Sequence, residues 1–439
     1  MKRTHDISDT NIDLSDANVL YSAWKSTRKS NPSKPQIQRY EYDWLSNIFR
    51  LQDEIVSGTH VKKHTPPFIV CERGKTRRIQ GDVVDDKVLS HALCDFSLMP
   101  NIMGSIIYDN GASVKGRGID FARDRFEQHL HEFYNKHHTN EGYILLGDFS
   151  KYYDNIRHDI AYRQFEDIIT DQTSLWLLKQ SYESGEVDVS YMSDEEYAKC
   201  MNVVYNSLEH MFDDPSLKTG EKMMKKSLII GDQPSQVTGI FYPTRFDNYF
   251  KIVKGIRWYG RYMDDFYVIS KSREFLESLM PELTKQAEEL GIFINLKKTH
   301  IAKIGKTFRF LHQKYYLTDT GHLVIRIDSS TLTRMRRKLK KVAKSNYDYQ
   351  YVRNMFHSWY GKYYCYMSVE QRKSIYALYC NLFNGGRKTT WQKNLKKRSK
   401  KKSQTKRLKT QQKMLQTQRK LSKNQLLKNT LQKHPNIQQ

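Results

Sequence analysis

The chain has 439 residues, more than one average domain, so two or three lobes with separate cores are expected. Lys and Arg total 73 against 48 Asp and Glu, a net charge of +25, yet positions 387–439 hold 18 of those cations and no acid, so the excess belongs chiefly to the tail. There is no apolar run near the roughly 20 residues that span a bilayer, no signal-peptide core in MKRTHDISDT and no CxxC pair among the five cysteines. These features argue against membrane, secreted disulfide and zinc-module classes and for the cytoplasm.

Residues 1–35 are polar and end in KSNPSKPQ, a turn-rich or loosely ordered extension. In YEYDWLSNIFRLQDEIVSGTH, Tyr42, Leu45, Ile48, Phe49 and Leu51 fall near helical spacing, and Gly58 supplies the stop. PPFIVCERGKTRRIQG alternates as two short strands about a basic turn from Arg73 to Arg78. A helix follows in DDKVLSHALCDFSLM, with Val88, Leu89, Ala92, Leu93 and Phe96 on one face; the next stretch, YDNGASVKGRGID, is a basic loop whose glycines let backbone approach a ligand closely. GYILLGD reads as a buried strand that delivers Asp148, and about 186–226 reads as a polar insertion with its own short helix. GDQPSQVTGIFYPTRFDNYFK gives a turn and an aromatic-rich helix kinked at Pro243. WYGRYMDDFYVI is a hairpin, SREFLESLMPELTKQAEELG a charged helix and FINLKKTHIA a short strand. FRFLHQKYYL, the basic helix LTRMRRKLKKVAKS and two tyrosine-rich helices ending near Phe383 complete the folded part; beyond Gly385, low complexity argues against a packed core. A polycation of this kind favours polyanions through counterion release, with nucleic acid ahead of an anionic membrane surface.

Asp264 and Asp265 sit side by side where their neighbours favour a buried hairpin. Two carboxylates projecting from its tip are costly if buried alone, and a solvated turn pair is the bland alternative. A divalent cation removes the cost, and hard oxygen ligands select Mg²⁺. With Asp148 as a third acid, two ions about 3.5–4 Å apart could activate an attacking oxygen and stabilise a leaving one in phosphoryl displacement.

The ordered set GYILLGDFSKYYDNI, IIGDQPSQ, RYMDDF, LGIFINLKKT and FRFLH resembles the palm motifs of bacterial reverse transcriptases over roughly residues 36–385. Its form is similar to the enzymes of diversity-generating retroelements and related antiphage-defence groups. The resemblance implies an α+β right-hand polymerase: an N-terminal extension at 1–35, fingers at 36–142, a palm with an antiparallel sheet at 143–325, a helical thumb at 326–385, and a basic, disordered tail at 386–439. It implies an RNA-directed DNA polymerase using two Mg²⁺ ions, dNTPs and an RNA template or structured noncoding RNA to make nascent DNA, with a small accessory protein as a further partner and no membrane.

Residue by residue, the resemblance makes Asp148 and Asp264 the principal metal ligands, with Asp265 nearby and the backbone oxygen of Phe149 completing the shell. Tyr153 takes the place of the bulky aromatic that excludes a ribose 2′-hydroxyl, so DNA rather than RNA is the expected product. Lys75 and Arg77 of RGKTRRI stand over the incoming triphosphate. Gln236 lies in the helix start beneath the templating base, where this chain has Gly-x-x-x-Ser-Gln in place of the commoner Gln-Gly with Ser-Pro. Lys297 and Lys298 are alternative general acids for the leaving group, and Lys115 and Arg117 are contacts for template or guide RNA. Two rivals remain at this level: an RNA-templated RNA polymerase, opposed by Tyr153, and a noncatalytic RNA-binding protein on a polymerase scaffold, opposed by the retained acids.

Overall fold

The computed structural model describes residues 12–383 apart from 73, 212–214 and 346. The expected basic tail and the start of the N-terminal extension lie outside the described residues. Two compact units divide the chain, one through Arg326 and one from Ile327. Both helices and antiparallel strands are present, so the class is α+β. Among the described residues no helix is long and apolar enough to cross a membrane.

The N-terminal segment departs from expectation. Residues Ala17–Ser30 form a helix, α1, started by Asp16, whose carboxylate accepts from the Asn18 amide at 2.8 Å. Polar composition hid an apolar stripe of Val19, Leu20, Ala23 and Trp24, all buried in the main core. Next come α2 (Pro35–Tyr42) and α3 (Trp44–Val56), separated at Asp43 where one helix was expected. Ile48, Leu51 and Ile55 face the core, whereas Tyr42, Leu45 and Phe49 are exposed. Two stripes satisfy helical spacing here, and packing against the rest of the unit selects the second.

Strands β1 (Phe68–Glu72) and β2 (Lys75–Ile79) pair antiparallel as expected, with Val70 opposite Arg77. The following helix divides into α4 (Val84–Leu93), a π turn at Cys94–Leu98 and α5 (Met99–Ile102). After the glycine-rich loop comes α6 (Ile119–His137), a helix the sequence reading did not assign. It buries Ala122, Phe126, Leu130 and Phe133.

Strand β3 (Tyr143–Asp148) lies at the centre of the larger sheet, which has the order β6-β7-β3-β8. Between it and β6 in sequence lie α7 (His158–Glu166), α8 (Gln172–Glu183), β4 (Val187–Asp188), α9 (Asp194–Asn202), α10 (Ser207–Met211), β5 (Met223–Met224), α11 (Gln233–Phe241) and α12 (Thr244–Asn248). The hairpin is β6 (Tyr259–Tyr262) with β7 (Asp265–Ser270), and α13 (Arg273–Glu288) and β8 (His300–Lys303) follow. Alternation on the sheet explains the apolar runs, because both faces are covered. Leu145, Phe266 and Val268 join the core on the α11 and α13 side. Ile144, Leu146, Tyr267 and Ile269 join α6 and the small sheet formed by β9 (Phe308–Phe310), β10 (Gln313–Leu317) and β11 (Leu323–Ile327).

Two details of this unit differ from expectation and one agrees with it. The insertion holds two helices and a β4–β5 ladder around Val187, Val189, Met192, Tyr205 and Met224, where one short helix was expected. Helix α11 ends before Pro243, and α12 begins after it, in line with the expected kink. The strand in FINLKKTHIA shrinks to His300–Lys303, because residues 293–299 instead wrap the end of β3. The Ser150 amide donates to the Phe293 carbonyl at 2.7 Å, and the Asn295 amide to the Asp148 carbonyl at 2.7 Å.

The second unit comprises α14 (Ser329–Val342), α15 (Tyr349–Tyr363) and α16 (Val369–Phe383). Leu332, Met335 and Leu339 of α14 pack with Phe356 and Tyr379, whose rings stack at 4.2 Å. Tyr360, Tyr376 and Tyr379 are buried in this core and Tyr363, Tyr364 and Tyr366 pack partly buried against it, while Tyr347, Tyr349 and Tyr351 are exposed.

Candidate active site

The antiparallel register of β3 and β7 sets Asp148 directly opposite Asp265. Asp264 occupies the two-residue turn between β6 and β7, and its carbonyl accepts from the Phe149 amide at 3.1 Å. Acids separated by more than a hundred positions in sequence thus meet at one sheet end. Two glycines permit the close pleating: a Cβ on Gly147 would stand 2.1 Å from the Phe266 ring, and one on Gly260 2.6 Å from the Tyr267 hydroxyl.

The turn is braced from below by a residue that sequence reasoning passed over. Arg261 is fully buried; its guanidinium donates to Asp247 at 2.8–2.9 Å, to the Ile240 carbonyl at 2.8 Å and to the Met263 carbonyl at 3.0 Å. Met263 has a positive φ of 54°, an unusual conformation for a side chain of this size, and the guanidinium bond holds it there.

Burial raises the Asp264 carboxyl, and the Asp148 charge raises it further. Asp265 is pushed up to about 7, first by burial, then by Asp264 and Asp148; the Lys298 and Lys75 ammonium groups partly offset this. Lys298 donates directly to an Asp148 oxygen, and Asn295 donates to the same oxygen at 3.3 Å. Among the described residues no three acid, histidine or cysteine side chains already enclose a metal position. The donor set nevertheless fits a hard divalent cation. It is all oxygen, it comes from adjacent backbone positions, and its mutual repulsion is what a bound cation relieves.

A cleft of about 810 Å³ opens at this sheet end; of the three acids Asp264 lines it, and Asp148 and Asp265 lie behind that lining. Its lining includes Phe149, Tyr153, Asp264 and Lys298 from the sheet end, Lys75 and Arg77 from β2, and Gln236 from α11. Seven residues picked from separate motifs therefore share one cavity. Burial raises the Tyr153 hydroxyl above its ordinary range, and the Asp264 charge raises it further, so the ring stays neutral. The ring lies against Gly239, where a Cβ would be 3.0 Å from its oxygen. Of the two alternative lysines, Lys298 reaches the cleft; Lys297 is exposed and absent from its lining. Lys115 and Arg117 also lie outside it. Lys115 is exposed, and Arg117 donates to the Asn110 carbonyl at 3.2 Å and sits 5.2 Å from the Tyr108 ring, so part of its role is to shape the loop.

The cleft floor is tied down by a second network absent from the sequence reading. Asp232 is fully buried, accepts from Lys62 at 3.0 Å and Ser181 at 2.6 Å, and caps α11 by accepting from the Ser235 amide at 3.3 Å. Beside it, Gly231 has φ +122°, and a Cβ there would come within 2.7 Å of the Gln80 carbonyl oxygen, whose own amide donates to the Ile230 carbonyl at 3.1 Å. The glycine thus lets the turn dock on the chain leaving β2. Gly231→Ala is expected to lower stability by ~1–3 kcal/mol through backbone strain, read as a lower urea midpoint; an unchanged midpoint would mean that the turn is not held there.

Short local signals found the acids, the glycine turn and the basic hairpin. Arg261, Asp247, Asp232 and Lys62 carry no such signal, since each matters through a partner distant in sequence. The geometry stands on its own, as no protein-family model and no curated protein matches the chain.

Proposed function

We propose that this protein is an RNA-directed DNA polymerase of right-hand architecture that works with Mg²⁺, dNTPs and an RNA template. The observation that carries the reading is the pairing of Asp148 with Asp265 beside the Asp264 turn, at the edge of a cleft that also contains Lys75, Arg77 and Tyr153. Asp148, Asp264 and Asp265, with the Phe149 carbonyl, would hold the cations. Bound there, Mg²⁺ would lower the cost of forming a nucleophilic primer oxygen and of releasing pyrophosphate.

The chain's own residues supply binding and orientation. Lys75 and Arg77 hold the triphosphate by charge-assisted bonds. Tyr153 packs against the sugar and leaves no room for a 2′-hydroxyl, while Gln236 borders the nascent pair. Lys298 is positioned to exchange Asp148 for the leaving phosphate and to give it a proton. The basic tail and α14 bind the nucleic-acid backbone, with strong salt dependence.

Primer extension on an RNA template, comparing dNTPs with NTPs, tests this reading. The wild-type protein is expected to incorporate dNTPs, and Tyr153→Ala to reduce its preference over NTPs by about 10- to 100-fold, the range one steric contact supports. Preferential NTP incorporation by the wild type would instead indicate an RNA polymerase.

A further inference from the structure

The turn that carries Tyr153 is fastened mainly by the insertion at 186–226. After Asp148 the chain passes through Lys151, which has a positive φ of 45°, into a 3₁₀ turn at Tyr152–Asn155. Asn155 is fully buried and acts as its hub. Its amide donates to the Lys151 carbonyl at 2.9 Å and to the Tyr205 carbonyl at 3.2 Å, while its oxygen accepts from the Tyr205 amide at 2.8 Å and from Lys226 at 3.1 Å. Lys226, also fully buried, donates to the Cys200 and Val203 carbonyls at 3.2 and 3.0 Å. From the insertion, Ser207 also donates to Asp154 at 2.7 Å, and Lys151 donates to Asn206 at 3.1 Å; outside it, the Leu228 amide donates to the Tyr153 carbonyl at 3.0 Å and the Tyr152 hydroxyl to the Gly239 carbonyl at 2.6 Å.

These bonds do more than close a surface excursion. They converge on the residues flanking Tyr153, and Val204, Ser207 and Leu208 of the insertion line the same cleft. On its other side the Tyr153 ring meets Gly239, so the tyrosine is held between α11 and a turn fixed by the insertion. We propose that the insertion is a positioning element for Tyr153 that sets how strictly the cleft discriminates deoxyribose from ribose. This rests on the polymerase reading above, and Ser207, Asn206 and Asn155 act through the tyrosine rather than on substrate.

The test compares full-length wild type, Ser207→Ala, Ser207→Thr and Asn206→Ala, with Tyr153→Ala as reference. Two quantities are read: hydrogen exchange at amides 151–155, and the ratio of dNTP to NTP incorporation efficiency on an RNA template. Ser207→Ala is expected to speed exchange in that turn and lower the ratio by about tenfold, within the range that a small misplacement costs. Asn206→Ala is expected to act in the same direction, and Ser207→Thr, which keeps the hydroxyl, to restore both. Unchanged exchange in both alanine variants would overturn the inference whatever the chemistry. Faster exchange with an unchanged ratio would overturn the specificity role. An unchanged ratio in Tyr153→Ala would instead remove the gate on which the inference stands.

Discussion

Asp264→Asn is expected to reduce RNA-templated DNA synthesis by more than ~100-fold, since residues that only orient a metal ligand already cost about 10- to 100-fold. The substitution keeps shape and removes one charge. The backbone contact from Phe149 to residue 264 involves only main-chain atoms and survives. Because burial and the Asp148 charge disfavour the ionised Asp264 carboxyl in the fold, neutralising it should leave stability unchanged or raise it. An unchanged or higher urea midpoint with lost synthesis and intact RNA binding is therefore the expected combination. It separates a site strained for function from a structural acid, whose loss would lower the midpoint. Intact synthesis in this variant would remove the metal assignment.

Asp247→Ala has the largest expected effect on stability. Arg261 has no solvent to turn to, and it raises the cost of any change at Asp247, because the remaining cation would be buried without its counter-ion. Losing one partner of such a pair costs ~3–5 kcal/mol. The Tyr259 hydroxyl, which also donates to Asp247, would lose its acceptor. Equilibrium urea denaturation reads the loss. The paired replacement Asp247→Leu with Arg261→Met should recover most of it, since apolar substitutes for a buried ion pair are often neutral or better. It should not recover DNA synthesis, because the Met263 carbonyl would lack the guanidinium that supports the turn. Recovery of both would show the pair to be purely structural.

The sequence reading was most accurate where the information is local. The β3 and β7 runs, the hairpin turn at MDD, the basic β1–β2 hairpin and the kink at Pro243 are each set by neighbouring residues, and each was legible. Which stripe of a helix faces inward depends on what it meets: Tyr42, Leu45 and Phe49, which share helical spacing with Ile48 and Leu51, are exposed, whereas Ile55 is buried. Helix α1 was hidden because its apolar residues are few but well spaced. At the site, the acids could be named from motif alone, whereas their support could not: Lys62 and Asp232 are 170 positions apart and Asn155 and Lys226 are 71 apart. Such buried polar pairs follow from tertiary packing, which no window of sequence contains.

The central claim is that Asp148, Asp264 and Asp265 together hold divalent cations above a primer end. Manganese, an oxygen-preferring octahedral ion visible by electron paramagnetic resonance, reports on this directly. Titrating Mn²⁺ into the full-length protein with primer, RNA template and a nonhydrolysable dNTP should reveal bound ions that are lost in Asp148→Asn and Asp264→Asn and displaced by excess Mg²⁺. Equal binding by wild type and both variants, or none above the nucleotide's own in the wild type, would contradict the account.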